Sequence, residues 1–137
     1  MSKREGDGAT PRGRFVIRHA YYRPDTAGRI GSALRLVPLH PAMGWCDAPG
    51  DRNYNRPVRL PYPASAERLW RDDGLYDVVI VLGHNDRPRV RGHGSAIFMH
   101  VARPGFLPTE GCIALKREHL RVLLGCLRRP AAVACGC

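Results

Sequence analysis

Two short apolar runs, Leu75–Leu82 and Ser95–Val101, constrain the fold more than any other feature of this chain. The first is rich in β-branched and aromatic residues. Both are too short for a core helix and have the length and continuity of strands buried on two faces. Arg14–Arg18 alternates, with Phe15 and Ile17 on one side, which predicts a further strand, and Ile113–Leu115 resumes a strand after the loop Pro104–Gly111. Gly83–Gly94 reads as a polar loop. The segment from Arg23 to Leu60 is rich in Pro, Gly, Asp and Asn and reads as long loops around one apolar stretch, Leu34–Leu39. Ser65 is placed to cap a short helix carrying Leu69 and Trp70 on one face. Leu120, Leu123, Leu124 and Leu127 form one helical stripe, stopped by Pro130. The pattern predicts a mostly β domain with one or two short helices.

At 137 residues the chain fits a single domain spanning 1–137. No stretch approaches the roughly 18 apolar residues of a membrane-spanning helix. Met1–Pro11 is polar and carries no apolar signal-peptide core. The formal net charge of +10 comes almost wholly from arginine and suits a polyanion, but the arginines are scattered, which favours an ordinary solvated surface. No basic helix, zinc finger or aromatic-basic ladder is present, so nucleic acid is not an expected partner. The five cysteines, Cys46, Cys112, Cys126, Cys135 and Cys137, include no C-x-x-C pair. His40, Cys46 and Asp47 match no metal-ligand spacing, and no metal or cofactor is implied. His19, His84, His93 and His119 read as solvent-facing or turn residues. Trp45, Asp47, Tyr54 and Asn55 suit a substrate wall or a loop mini-core equally well.

Chemistry concentrates between residues 94 and 115. His100 ends an apolar strand, and Cys112 follows Gly111 at the start of another. A strand, a loop and a returning strand bring such residues to one rim of a sheet. A free thiol, with a pKa near ~8.5, is mostly protonated at neutral pH, and an adjacent imidazole can take its proton. The glycine leaves the backbone uncrowded, so that the amides of Gly111 and Cys112 can face the oxygen of a tetrahedral intermediate. A thiol activated in this way is expected to alkylate faster near neutral pH than Cys126, with His100→Ala removing the advantage.

The run Thr109-Glu110-Gly111-Cys112-Ile113-Ala114-Leu115 resembles the active-site signature of the L,D-transpeptidase catalytic domain, the YkuD type, with His100 matching its upstream histidine. Gly6-Asp7-Gly8-Ala9-Thr10-Pro11-Arg12-Gly13-Arg14-Phe15 is similar to that family's Gly-x-x-x-Thr-Pro-x-Gly-x-Phe element. Trp45-Cys46-Asp47, Tyr54-Asn55-Arg56 and Ser65-Ala66-Glu67 resemble its short bacterial branch, and the likeness runs from about residue 3 to residue 127. The resemblance implies a single β-sandwich-like, mostly β catalytic domain acting on peptidoglycan tetrapeptide stems in the periplasm or cell envelope. Cys112 would be the nucleophile, forming an acyl-enzyme that an amine of a second stem resolves. His100 would be base and then acid, Gly111 and Cys112 the oxyanion donors, and Thr109 would shape the turn and touch the substrate.

The chain departs from the family pattern at Glu110, where histidine is common, and at Ala114, where arginine or asparagine is common. These departures leave the substrate-carboxylate contact unassigned: Arg103 is a candidate substitute, and an ordinary solvated loop arginine is the competing reading. The resemblance also leads one to expect one or two strands absent before the Thr-Pro element, and no closing strand in Ala131–Cys137, leaving a sheet edge open. Two other functions compete. The same Cys-His pair with water as acceptor would make an L,D-carboxypeptidase or hydrolase, and a basic chain without catalysis would be a cell-wall or nucleic-acid binding protein. Papain-like hydrolases fit poorly, because their cysteine precedes the histidine.

Overall fold

Residues 2–136 are described by a computed structural model. Its elements are β1 (Gly13–Tyr22), β2 (Leu36–Pro38), β3 (Met43–Cys46), β4 (Pro57–Arg59), β5 (Ala66–Arg68), β6 (Val78–Leu82), β7 (Phe98–Val101), β8 (Ile113–Leu115), α1 (Arg117–Cys126) and β9 (Ala132–Cys135), with a short 3-10 turn at Pro104–Phe106. The main sheet runs β2-β1-β6-β7-β8, with β9 also paired to β1, and a three-stranded sheet runs β4-β3-β5. The molecule is mostly β, with two sheets and one α-helix among the described residues.

Strand β6 shows why the apolar runs become strands. Val78, Ile80 and Leu82 pack into one core cluster with Leu120 and Leu124 of α1. Val79 and Val81 pack into a second cluster with Trp45, Leu69, Tyr76 and Phe98. Every residue of β6 is buried, so a continuous apolar run serves a period-2 strand covered on both faces. β7 repeats the division: Met99 joins the helix-side cluster and Phe98 the other. The predicted leucine stripe is the buried face of α1, with Leu120 and Leu124 fully enclosed. Burying each contributes about 1.5–3 kcal/mol.

Three expectations are corrected. The segment after Ser65 is strand β5, paired antiparallel with β3 through Trp45↔Glu67. The Ser65 hydroxyl donates to Asp47 Oδ1 at 2.6 Å rather than capping an amide, so cross-strand partners override the capping pattern. The loop-like segment 23–60 contains β2, β3 and β4, each three or four residues long, too short for alternation to register above the turn-forming composition. The tail does form a closing strand: Gly13↔Cys135 through Val16↔Ala132 join β9 antiparallel to β1. Its residues are all small or apolar, with no polar alternation to read, and backbone pairing to β1 together with Val133 packed against the helix-side core holds its register. Cys137 lies outside the described residues.

Several arginines are also anchored rather than simply solvated. Arg23 is buried, with its guanidinium 3.6 Å from the centre of the Trp70 ring and ion-paired to Asp25.

Candidate active site

His100 occupies the last turn of alternation in β7, on the same face as Phe98. The parallel register with β8 sets Met99↔Ile113 and His100↔Ala114. One step back along that register, just ahead of β8, brings Cys112 beside Phe98, and it packs on the same core cluster, so Cys112 and His100 share a sheet face. Strand spacing and rise set their Cα atoms roughly 8 Å apart on the diagonal. Both line one cleft of about 690 Å³, together with Thr109, Arg103, Tyr76 and Glu67. Ala114, directly beside His100, leaves that face uncrowded.

The turn before Cys112 requires its glycine. Gly111 sits at φ +99°, and a Cβ there would lie 2.5 Å from the Ala9 carbonyl oxygen, a backbone atom with no room to yield. Thr109 Oγ1 donates to the Cys112 carbonyl at 2.6 Å, which holds the turn from the other side. The Thr-Pro lead-in thus packs against the Gly-Cys turn, joining two sequence motifs about a hundred residues apart in one contact.

In this resting geometry the Cys112 thiol donates to the carbonyl of Ala96 at 3.2 Å. Ala96 itself takes a positive φ of 54°, and its N–H donates to Asn55 Oδ1 at 3.2 Å. Burial pushes the thiol up to about 12, opposed by the Phe98 backbone N–H and raised further by the nearby Glu67 carboxylate. Burial and the hydrogen bond to Ala96 both favour the protonated thiol in this resting geometry, so proton removal calls for a change at the sulfur, such as substrate contact. His100 is buried, and its pKa is lowered first by desolvation, with the cations Arg71 and Arg103 adding to it. Its Nδ1 lies 2.8 Å from the Val101 carbonyl oxygen. A carbonyl only accepts, so Nδ1 carries the hydrogen and Nε2 is the basic nitrogen.

Tyr76, Glu67, Arg71 and Lys3 also line the cleft; of these the sequence marked only Glu67, as part of the Ser65-Ala66-Glu67 likeness, and gave it no site role. The Tyr76 ring stands edge-on to His100, with centroids 5.3 Å apart, and its hydroxyl donates to Glu67 Oε1. Arg71 is neutralised by Asp73, and Lys3 by Asp7. Arg103 is exposed at the cleft and has no ion-pair partner among the described residues. Tyr76 lies inside a run that reads only as strand, and Glu67 inside a segment that reads as helix, so the local pattern pointed neither to the cleft; the Ser65-Ala66-Glu67 likeness was the one signal at Glu67.

Trp45, Tyr54 and Asn55 resolve as a loop mini-core: Trp45 Nε1 donates to buried Asn55 Oδ1 at 3.0 Å, and only Asp47 of the four reaches the cleft. His93 and His119 are exposed, whereas His19 and His84 are half-buried, with desolvation lowering both. Among the described residues no three His, Cys, Asp or Glu side chains converge as a metal site. No helix is long and apolar enough to cross a membrane.

A family model of the L,D-transpeptidase catalytic domain, YkuD, matches residues 2–133. The chain belongs to the YkuD family. The match spans the Thr-Pro lead-in and the cleft and reaches the first residues of the closing strand, and the family is one of enzymes acting on peptidoglycan. No curated protein and no solved structure matches the chain.

Proposed function

We propose that the whole chain is one catalytic domain, an L,D-transpeptidase-type cysteine acyltransferase acting on peptidoglycan tetrapeptide stems in the cell envelope. The observation that carries this reading is the shared cleft of Cys112 and His100 in a member of the YkuD family. Cys112 Sγ attacks the carbonyl that precedes the terminal D-residue. His100 Nε2 takes the thiol proton and returns it to the departing amine, giving an acyl-enzyme and a free D-amino acid. The amides of Gly111 and Cys112 hold the developing oxyanion. Thr109 keeps the turn and meets the substrate, and Arg103, the unpaired cation at the rim, receives its carboxylate.

The resting thiol supports a substrate-triggered sequence. It must leave Ala96 O before it can meet His100, and a neutral imidazole is the form able to receive its proton. The test is incubation with a tetrapeptide stem, following D-alanine release and intact mass together. Release with a tripeptidyl adduct, both lost in Cys112→Ala, is the expected result. Release unaffected by Cys112→Ala would overturn the assignment.

A further inference from the structure

The cleft holds a carboxyl group that the acylation half of this chemistry does not use. Glu67 projects from β5 of the small sheet and lines the same cleft as His100 of β7 and Cys112 at the entry to β8. One of its oxygens accepts the Tyr76 hydroxyl, and the Tyr76 ring is fixed edge-on against both Phe98 and His100. Its position is therefore set by the same aromatic cluster that sets the imidazole. Among the described residues Glu67 has no ion-pair partner: Arg71, the cation whose charge acts on it, is clamped on two atoms by Asp73. Of the other carboxyls at the cleft, Asp47 is engaged by Ser65, Glu5 by Tyr54, and Glu110 is exposed. A half-buried carboxylate without a cation, close enough to Cys112 to influence its thiol, asks for a positively charged ligand at the reacting sulfur.

We propose that Glu67 is the acceptor-amine residue of this cleft, binding a primary ammonium beside the Cys112 acyl-thioester and taking its proton so that an amine, not water, resolves the intermediate. This rests on the Cys112 reading above. The ammonium gives one proton to Glu67, which passes it to solvent. The free amine forms the N–C bond, and the C–S bond breaks with its electron pair on Sγ. His100 takes the second excess proton from nitrogen and delivers it to sulfur, leaving an amide and the restored thiol. Desolvation holds Glu67 above the usual carboxylate range, which makes it a better acceptor for that proton than a surface glutamate.

The experiment acylates the full chain with a tetrapeptide stem and supplies ethylamine, reading the ratio of amide to hydrolysed product by mass spectrometry. Glu67→Gln keeps the size and the Tyr76 contact while removing the charge. Its amide-to-hydrolysis ratio should fall about tenfold, a larger change than any in acylation rate. Tyr76→Phe keeps the ring against His100 but releases Glu67, and should lower the same ratio by a smaller factor. An unchanged ratio in both variants, or acylation and amide formation falling together, would overturn the role of Glu67 alone. No adduct on the wild-type chain would overturn the Cys112 assignment, and this proposal with it.

Discussion

The two faces of the main sheet are built from the same strands and differ in kind. Toward α1, alternate residues of β6 and β7 meet aliphatic leucines, isoleucines and valines, with no charged group in the cluster. Toward the small sheet, the intervening residues meet aromatic rings, and that cluster ends at Tyr76, His100, Glu67 and the half-buried Cys112. A single period-2 alternation thus separates holding the fold from doing chemistry, and each face should respond to mutation in its own way.

The largest separation is expected from Leu120→Ala on the helix face. The side chain is fully buried in the aliphatic cluster, so its loss should cost about 2–5 kcal/mol, visible as a lowered thermal midpoint, while acylation by the folded fraction persists. On the other face Gly111→Ala should lower acylation about 100-fold or more, because φ +99° and the Ala9 carbonyl both oppose a Cβ and displace the turn that aims Cys112. An equal loss of stability and activity in both variants would erase the distinction.

A pH profile sharpens it next. His100 works as a base only when neutral, and burial lowers its pKa from 6.5, so the acid limb of acylation should lie below pH 6.5. With the thiol raised to about 12, iodoacetamide labelling of Cys112 in the free protein should climb steadily through alkaline pH without a plateau. At neutral pH it should be slower than labelling of exposed Cys126. Faster labelling of Cys112 than of Cys126 at neutral pH would show that the Ala96 hydrogen bond does not hold the resting thiol. The smallest effect is expected from Ser65→Ala, which removes one exposed hydrogen bond to Asp47 and no helix cap, so less than about 1 kcal/mol should be lost.

Legibility in the sequence followed pattern length. β6, β7 and α1 were readable because each lies in a longer run of apolar order, Leu75–Leu82, Ser95–Val101 and the leucine stripe Leu120–Leu127. β3, β4 and β5 were hidden because three or four residues among prolines and glycines show no period, and their strand character comes from pairing with one another. β9 was hidden for the opposite reason, since Ala132–Cys135 offers no polar residue to mark an alternation, and its pairing with β1 and the packing of Val133 on the core appear only in the fold. Of the site, Cys112, His100, Gly111 and Thr109 stood out through the signature, and the structure brings all four to the cleft rim or its supporting turn. Tyr76 and Glu67 meet only when the two sheets pack, a contact between distant segments that no local spacing reports.

The account turns on His100 and Cys112 working as one unit across β7 and β8. The most direct measurement is the rate of acylation by a carbapenem, with the adduct located by peptide mapping, in wild type and in His100→Ala. The adduct is predicted on Cys112, forming about 10²–10⁴-fold more slowly without the imidazole. An adduct on Cys126 or Cys135, or one that forms on Cys112 at the same rate in both proteins, would contradict it.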